Sequence, residues 1–239
     1  MAVRLPIIDS RDSYDLHPRK IIAIGLNYHA HIAESASVRV RGMDGEVPLE
    51  PVLFNKTPNV LIGPGESIPI PAHLGDYAWS EEARTDYEGE LVVIIGRRGR
   101  HIPEDEALDW VLGYTCGNDV SQRNIQNSDR SGWFRGKSFD GFGPVGPAVR
   151  RAEDLKDPGN LAIQTRLNGT TVQSSRTSAM IFPVPRLIAY ISRQITLEEG
   201  DLIFTGTPSG VGPLAPGDEV EVDIEGIGVL RNPVIAEEL

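Results

Sequence analysis

Two glutamates in one strand-like segment offer the clearest chemistry in this sequence. Glu88 and Glu90 stand two residues apart in TDYEGELVVIIG, residues 85–96. Alternate residues of a β-strand share a face, so both carboxylates project to the same side. In an apolar setting two such charges repel each other, and a cation between them relieves the repulsion. The spacing therefore predicts a cation site, with an exposed strand face as the alternative.

The neighbouring residue types indicate which cation would bind. Carboxylate oxygens without a nearby histidine or thiolate suit Mg²⁺, Mn²⁺ or Ca²⁺ better than Zn²⁺. Asp119 is the candidate third ligand, because it ends the short strand in YTCGNDV, residues 114–120, and precedes a polar run. These three carboxylates form the predicted metal site.

Lysine is rare in this chain, which has only Lys20, Lys56, Lys137 and Lys156. Lys137 lies in WFRGKSFDGFGPVGP, residues 133–147, a loop too rich in glycine and aromatic residues to be simple solvent filler. An ammonium group beside a metal can bind an anionic substrate. A plain surface position explains the residue equally well.

A short helical segment carries the remaining candidates for proton transfer. His29, His31 and Glu34 lie together in NYHAHIAESA, residues 27–36. His31 and Glu34 are three residues apart and can meet on one helix face. Such a pair can act as a general base and the group that orients it. An ion pair on the helix surface is the alternative.

Two other stretches resemble nucleotide-binding motifs but do not match them. Residues 141–146, GFGPVG, match the dinucleotide fingerprint as text, but Pro144 lies inside it and no helix pattern follows. Residues 132–138, GWFRGKS, resemble a phosphate loop with its glycines one residue too close. No Gly-x-Ser-x-Gly is present, and Cys116 has no histidine nearby in sequence, so it is expected to be a small buried residue.

The elements that must position these groups are mostly strands. The 25 glycines and 18 prolines are spread along the chain, which favours many short strands and turns. We predict a mainly β fold with a few short helices, in the α+β class. Strands are expected at residues 20–26, 51–56 and 85–96, and helices from Asn27, over residues 103–113 and from Pro185.

A tight hairpin is predicted around Asn168-Gly169. Apolar and polar residues alternate from Leu161 to Leu167, and the pattern resumes at Thr170. Asn-Gly at this point is typical of a type I′ turn. The sequon formed by Asn168, Gly169 and Thr170 is accordingly interpreted as a turn, not as a glycosylation site.

Length and composition exclude several classes. The 239 residues suit one generous domain, and 40% hydrophobic with 24% charged residues is ordinary globular composition. A net charge of −11 disfavours nucleic acid as a partner. The single cysteine, Cys116, rules out an intrachain disulfide. No signal-peptide or membrane-spanning run is found, so we expect no membrane association and a cytoplasmic location.

Six motifs in order give the chain a resemblance to a known family. They are GLNYHAHIAE, DYEGELVVIIG, GYTCGNDVSQRNIQ, RGKSFDGFGPVGP, IFTGTPSGVG and GDEVEVDIEGIGVLRNPV. From about residue 20 to the C terminus the sequence resembles the fumarylacetoacetate hydrolase superfamily in its short single-domain form. Within it the chain looks most like the 2-hydroxyhepta-2,4-diene-1,7-dioate isomerases and acylpyruvate hydrolases, enzymes of aromatic-compound catabolism.

The resemblance implies a mixed β-sandwich roll, a homodimer and a divalent metal, Mg²⁺ or Mn²⁺, with Ca²⁺ possible in crystals. It implies metal ligation by Glu88, Glu90 and Asp119. The remaining roles that it implies fall to residues outside that triad: catalysis by Lys137 and by the lid residues His31 and Glu34, and substrate binding by Arg123, Gln126 and Thr207.

The resemblance also implies a domain layout. Residues 1–19 are expected to pack on a catalytic domain of residues 20–239, whose lid covers about residues 28–50. The insertion-like stretch Arg39 to Glu50 leaves lid geometry, and so substrate size, open.

The expected substrate is a 2-oxo or 2,4-dioxo carboxylic acid that reacts through a metal-stabilised enolate. Hydrolytic C–C cleavage of an acylpyruvate is the first hypothesis. Isomerisation of a hydroxymuconate-type dienoate and decarboxylation of oxaloacetate use the same platform, and family membership does not choose among them. Outside this class, a metal-stabilised binding protein without catalysis is the rival.

Overall fold

The computed structural model describes residues 3–35, 46–78, 83–130 and 133–238. Residues 36–45 of the predicted lid therefore lie outside the described residues. The strands are β1 Val3–Pro6, β2 Ser13–Leu16, β3 Ile21–Gly25, β4 Val52–Lys56, β5 Leu61–Ile62, β6 Ile68–Ile70, β7 Thr85–Tyr87, β8 Gly89–Ile95, β9 Val111–Asn118, β10 Ser121–Gln122, β11 Gly143–Arg151, β12 Ala162–Leu167, β13 Thr170–Arg176, β14 Leu202–Phe204, β15 Gly212–Pro213, β16 Glu219–Ile224 and β17 Gly228–Ala236. The α-helices are α1 His29–Ser35, α2 Arg123–Ser128, α3 Phe134–Lys137 and α4 Val184–Gln194.

A mixed seven-stranded sheet forms the centre, in the order β4-β3-β14-β8-β9-β11-β5. Both of its faces are buried, and β8 shows why its sequence is continuously apolar. Leu91 and Val93 join one hydrophobic cluster, together with α4. Val92 and Ile94 join a second cluster on the opposite face, together with the β1–β2 hairpin. A strand buried on both faces needs apolar residues at every position.

A second sheet, ordered β13-β12-β16-β17-β6, packs on the first. Ile163 and Val222 from this sheet lie in the same cluster as Leu91. The predicted hairpin is β12–β13, and both turn residues have positive φ, 51° at Asn168 and 78° at Gly169. Positive φ at both central positions defines the predicted type I′ turn.

The mainly β fold class is confirmed, but the strand predicted over residues 85–96 is divided at Glu88 into β7 and β8, which belong to different sheets. One predicted helix is also shorter than expected. Residues 103–113 were predicted as a single helix, whereas the structure has a 3₁₀ helix over Glu104–Trp110 followed at once by β9. Pairing of β9 with β8 gives the backbone of Val111 and Gly113 partners in the sheet, which the local helix pattern could not anticipate. The last helix begins at Val184, one residue before the predicted Pro185.

The N-terminal segment lies against β11. Ile8 N–H donates to the carbonyl of Val149 at 3.0 Å, beside a bridge between Ile7 and Val149. The division between residues 1–19 and 20–239 stays a prediction. Within the described residues, no helix has the length and apolar character needed to cross a membrane.

Candidate metal and substrate site

Antiparallel pairing of β8 with β9 brings the three predicted carboxylates together. Gly89 at the start of β8 pairs with Asn118 at the end of β9. The N–H of Asp119 donates to the carbonyl of Glu88 at 2.8 Å, and the N–H of Glu88 donates to Asn118 Oδ1 at 2.8 Å. Residues about thirty positions apart in sequence are therefore in direct contact where β8 begins and β9 ends.

Gly89, the glycine between the two glutamates, is required by packing. A Cβ at Gly89 would lie 2.2 Å from Thr165 Oγ1 on β12. Because the second sheet approaches the strand this closely, only glycine fits between the two glutamates. Glu88 and Glu90 then project to the opposite side, away from the second sheet.

Oxygen atoms from Glu88, Glu90 and Asp119, one from each, all lie within 4.8 Å of one another. All three residues are buried. In octahedral coordination at about 2.1 Å, adjacent ligand oxygens lie roughly 3 Å apart and opposite ones roughly 4.2 Å apart. The span, the burial and the all-oxygen donor set fit a divalent cation such as Mg²⁺ or Mn²⁺.

Buried cations hold two of these carboxylates. Lys137 Nζ lies 2.6 Å from Glu88 Oε2 and 2.8 Å from Asp119 Oδ2. Arg123 Nη2 donates to Glu88 Oε1 at 2.5 Å. Lys56 Nζ donates to Asp119 Oδ1 at 2.5 Å. Glu90 instead accepts a hydrogen bond from the backbone N–H of Gly206 at 2.8 Å.

These contacts give the two glutamates opposite electrostatics. Burial raises the pKa of Glu88, but the charges of Lys137 and Arg123 outweigh it and hold the pKa well below its usual range. Burial, reinforced by the charges of Asp119 and Glu88, raises the pKa of Glu90 well above its usual range. Glu90 is thus the carboxylate whose charge is least compensated, and a bound divalent cation would compensate it.

The two lysines also differ. Burial lowers the pKa of Lys137, but the charges of Asp119 and Glu88 outweigh it and the pKa is raised. Burial lowers the pKa of Lys56, and its single contact with Asp119 only partly offsets that effect, with Lys137 opposing. Two contacts to carboxylates therefore stabilise the ammonium of Lys137 more than one contact stabilises that of Lys56.

His31 and Glu34 lie on α1 as the sequence predicted, and they face the same cavity as the carboxylates. His31 Nδ1 is 3.5 Å from Glu34 Oε2. The N–H of Gly210 donates to Glu34 Oε2 at 2.9 Å, which ties the helix to the TGTPSG loop. Burial raises the pKa of Glu34, but the hydrogen bonds from His31 and Gly210 lower it more, so its net pKa lies below the usual value.

The three predicted substrate-binding residues also line this cavity. Arg123 Nη1 donates to Gln126 Oε1 at 2.9 Å, which leaves the amide group of Gln126 as a donor. Thr207 Oγ1 donates to the carbonyl of Gly89 at 2.9 Å. All nine residues predicted from the sequence are therefore placed around one cavity or in direct contact with a group that lines it.

Sequence reasoning missed several residues that hold the site together. Asp86 accepts from Arg123 Nε at 2.8 Å and from Arg84 Nε at 2.7 Å, which orients the Arg123 guanidinium. The alternation that links residues 88 and 90 extends to 86 and could have revealed it. Lys56 was one of four lysines in the chain, and its position at the end of an apolar strand was the available signal.

Gln173 had no sequence signal, and Trp133 had only its place in the aromatic-rich loop of residues 133–147. Gln173 Nε2 donates to Thr207 Oγ1 and to the carbonyl of Pro208, both at 2.8 Å, and its Oε1 accepts from the N–H of Gly89 at 3.0 Å. Trp133 lines the cavity and packs on Gly25, where a Cβ would lie 2.5 Å from its ring. Both residues reach the site only through long-range folding.

The sequence matches a known protein family. The family model described as fumarylacetoacetate (FAA) hydrolase, C-terminal, matches residues 20–235. A mitochondrial oxaloacetate tautomerase of Rattus norvegicus is 39% identical over 246 residues, which cover 98% of this chain and 74% of the relative.

Two solved structures share the fold. A fumarylpyruvate hydrolase from Pseudomonas aeruginosa, in complex with Mn²⁺ and pyruvate, superposes with a TM-score of 0.85 at 31% identity, covering 99% of this chain and 97% of that one. A 2-hydroxyhepta-2,4-diene-1,7-dioate isomerase from Mycobacterium marinum gives a TM-score of 0.79 at 37% identity, covering 96% and 83%.

Proposed function

The chain belongs to the fumarylacetoacetate hydrolase C-terminal family, and from this premise we propose that it is a divalent-metal-dependent enzyme acting on a 2-oxo or 2,4-dioxo carboxylic acid. The reaction that the site supports best is hydrolytic C–C cleavage of an acylpyruvate-type substrate. One observation carries this proposal: Glu88 and Glu90 of the carboxylate cluster line the same cavity as the His31–Glu34 pair. A metal site that served only the fold would need no histidine–carboxylate pair beside it.

Glu88, Glu90 and Asp119 would hold Mg²⁺ or Mn²⁺. Such a cation, when bound, supplies Lewis-acid stabilisation for negative charge that develops on a 2-oxo oxygen. Mn²⁺ in the fumarylpyruvate hydrolase supports this choice of cation.

The basic and polar side chains of the cavity suit an anionic substrate. Lys137 would offset negative charge on the bound acid, since its ammonium lies between Glu88 and Asp119 at the cavity wall. The Gln126 amide would donate to the substrate carboxylate, and Thr207 would join it by turning its hydroxyl proton away from the carbonyl of Gly89. Arg123, fixed by Asp86, would add positive charge without having to change its own contacts.

His31 would act as the general base in hydrolysis. Glu34 Oε2, 3.5 Å from Nδ1, would orient the imidazole so that Nε2 takes a proton from water as the water oxygen bonds to the distal carbonyl carbon. The C–C bond next to that carbon then breaks, and its electron pair passes to the pyruvate fragment as an enolate. The proton returns from His31 to the methylene carbon of that fragment, giving one carboxylic acid and one pyruvate.

A second candidate is enolisation chemistry without hydrolysis. The identities with the oxaloacetate tautomerase, 39%, and with the dienoate isomerase, 37%, exceed the 31% identity with the fumarylpyruvate hydrolase. Tautomerisation or isomerisation would need only proton transfer by His31 at a carbon beside the 2-oxo group. Decarboxylation of oxaloacetate would use the same anion-binding groups.

A turnover screen tests the proposal. Purified protein with Mg²⁺, with Mn²⁺ or with excess chelator is offered acetylpyruvate, fumarylpyruvate, oxaloacetate and a hydroxymuconate-type dienoate. Chelator-sensitive loss of diketo absorbance with pyruvate release supports the hydrolase. Loss of the oxaloacetate enol absorbance or a dienoate spectral shift without fragmentation favours the second candidate, as does release of carbon dioxide from oxaloacetate. Absence of activity with all four substrates would favour the alternative of a metal-stabilised binding protein without catalysis.

Matched variants separate chemistry from folding. Glu88→Ala should abolish every metal-dependent activity. His31→Ala should lower kcat by about 10²–10⁴-fold, the usual contribution of a general base. His29 is exposed on the same helix, so His29→Ala is the control and should keep the native rate. An unchanged kcat in His31→Ala would contradict the role given to this residue.

We also propose a homodimer, in a cytoplasmic location, with small-molecule 2-oxo acids as partners and neither nucleic acid nor a membrane among them. The net charge of −11 supports the exclusion of nucleic acid. Light scattering on the purified protein would test the dimer directly.

A further inference from the structure

Lys56 is a buried lysine that contacts the metal site from outside the cavity. It is the last residue of β4, and its side chain is fully buried. Nζ donates to Asp119 Oδ1 at 2.5 Å and to the carbonyl of Val120 at 3.4 Å. It is not among the residues that line the cavity. Its ammonium therefore acts on Asp119 and not directly on a substrate.

We propose that Lys56 is a positioning residue that keeps Asp119 Oδ1 away from the metal, so that Asp119 ligates through one oxygen only. The centre would thereby select small octahedral cations, Mg²⁺ and Mn²⁺, over Ca²⁺. This inference rests on the metal site of the proposed function and extends it to metal selectivity.

The geometry of Asp119 carries the argument. Its two oxygens face different cations, Oδ1 towards Lys56 and Oδ2 towards Lys137 at 2.8 Å. Lys137 lines the cavity together with Glu88 and Glu90, so Oδ2 is on the cavity side. Lys56 holds the other oxygen and does not line the cavity. A metal held among the three carboxylates would therefore meet Oδ2, while Oδ1 would stay with Lys56.

Mg²⁺ and Ca²⁺ differ in the number of oxygens that they bind, so this geometry favours one ion over the other. Ca²⁺ accepts six to eight oxygens and commonly takes a carboxylate through both of them, whereas Mg²⁺ demands a near-octahedral set at about 2.0–2.1 Å. A carboxylate restricted to one oxygen removes a ligand that Ca²⁺ would use and Mg²⁺ would not. Loss of Lys56 would return Oδ1 to the metal and favour the larger ion.

The ratio of the Mg²⁺ and Ca²⁺ affinities separates the effect of ligand number from the effect of charge. Removing a lysine takes one positive charge from the site, which changes attraction for every divalent cation. Mg²⁺ and Ca²⁺ carry the same charge, so that change largely cancels in the ratio of their dissociation constants. What remains depends on the number and arrangement of ligand oxygens.

The test is calorimetric titration of chelator-treated protein with Mg²⁺ and with Ca²⁺. Lys56→Met keeps an unbranched side chain only one atom shorter than lysine and removes its charge and donor. The control is Lys20→Met, because Lys20 pairs with buried Asp201 at 2.7 Å and neither residue lines the cavity. We expect Lys56→Met to shift the affinity ratio towards Ca²⁺ by at least fivefold, and Lys20→Met to leave the ratio unchanged.

The outcomes separate the inference from the function on which it rests. Native protein that binds neither ion would overturn the proposed function and the inference with it. Native binding together with an unchanged ratio in Lys56→Met would overturn the inference alone. Metal-free circular dichroism checks that each variant is folded.

Lys56→Leu provides a second variant without a donor if Lys56→Met does not fold, and the same shift towards Ca²⁺ is expected from it. A crystal structure of the native protein soaked with Mn²⁺ adds a measurement that needs no variant. Asp119 bound through one oxygen, with Lys56 on the other, would support the proposal. Asp119 bound through both oxygens would refute it.

Discussion

At the scale of single residues, the uneven distribution of cations among the carboxylates is the most informative feature of the site. Glu88 contacts both Lys137 and Arg123, and Asp119 contacts both Lys137 and Lys56. Glu90 has no salt bridge among the described residues and is held by the backbone of Gly206. A buried charge without a counterion destabilises the fold. We therefore expect Glu90 to lower the stability of the metal-free protein while it serves metal binding.

Replacing Glu90 should therefore stabilise the metal-free protein and remove the stabilisation by metal. Glu90→Gln removes a carboxylate whose pKa burial raises, and the expected gain in metal-free unfolding free energy is about 1–2 kcal/mol. Thermal unfolding in chelator measures it. The same variant should lose the stabilisation that added Mg²⁺ gives the native protein. A metal-free variant less stable than the native protein would contradict this account of Glu90.

The acidity of Glu34 gives a pH dependence with a definite sign. Its net pKa lies below the ordinary 4.5, because hydrogen bonds from His31 and Gly210 outweigh burial. Folding therefore favours the ionised form, and the associated stability is present above the ordinary pKa and is lost as pH falls through the folded pKa.

We accordingly expect native protein to be more stable than Glu34→Gln at pH 7, and the difference to shrink below about pH 4.5. Urea unfolding between pH 7 and a pH about one unit below that value measures it. Glu106 is exposed, so Glu106→Gln serves as the control and should show no such convergence. A difference between native protein and Glu34→Gln that stays constant over this range would argue against the linkage.

At the scale of elements, the site depends on how closely the two sheets approach. Thr165 and Gln173 on the β12–β13 hairpin contact the Glu-Gly-Glu segment from the side opposite the cavity. Gln173 also holds the TGTPSG loop through Thr207. One hairpin therefore supports both the metal-binding strand and a substrate-binding loop.

Gly89→Ala tests this arrangement, because its Cβ would meet Thr165 Oγ1 at 2.2 Å. Overpacking of this kind typically costs about 1–3 kcal/mol, and we expect about 2–3 kcal/mol here since strand backbone must shift. Chemical unfolding measures the loss, and metal affinity should fall with it. A Cβ added at Gly75 would meet no atom within 4 Å, so Gly75→Ala is the matched control. Equal stability of the two variants would refute the packing argument.

At the scale of the whole molecule, the fold brings charged groups together from distant parts of the chain. Glu90 lies on β8, Glu88 directly before it and Asp119 directly after β9, while Lys56 comes from the edge strand β4 and Lys137 from α3. Each piece is fixed by a buried core on both sides of the sheet. The site is therefore rigid where the metal would bind, and Glu90 is the carboxylate of the triad that has no salt bridge among the described residues.

Metal binding should consequently stabilise the entire fold. A ligand present at about 100 times its Kd adds roughly 2.7 kcal/mol to the unfolding free energy. For a chain of this size we expect a rise in Tm of about 5–11 °C with saturating Mg²⁺ or Mn²⁺, and its reversal by chelator. Scanning calorimetry measures both. A Tm that does not respond to either ion would contradict the metal site.

The sequence by itself determined the fold class, the type I′ hairpin and the side of the strand on which the two glutamates lie. These features depend on local periodicity and turn chemistry, which nearby residues specify. The family motifs also indicated Asp119, Lys137 and the pair His31–Glu34, and the structure brings these residues together around one cavity.

Only the tertiary structure decided which groups support those residues. Lys56, Asp86 and Gln173 reach the site through strand pairing and sheet packing, and their contacts span from 37 to 84 residues of sequence. Residues 104–118 likewise divide between a 3₁₀ helix and a strand because β8 offers backbone partners to β9. Local pattern cannot encode such contacts, since their free energy arises only when distant segments are brought together and desolvated.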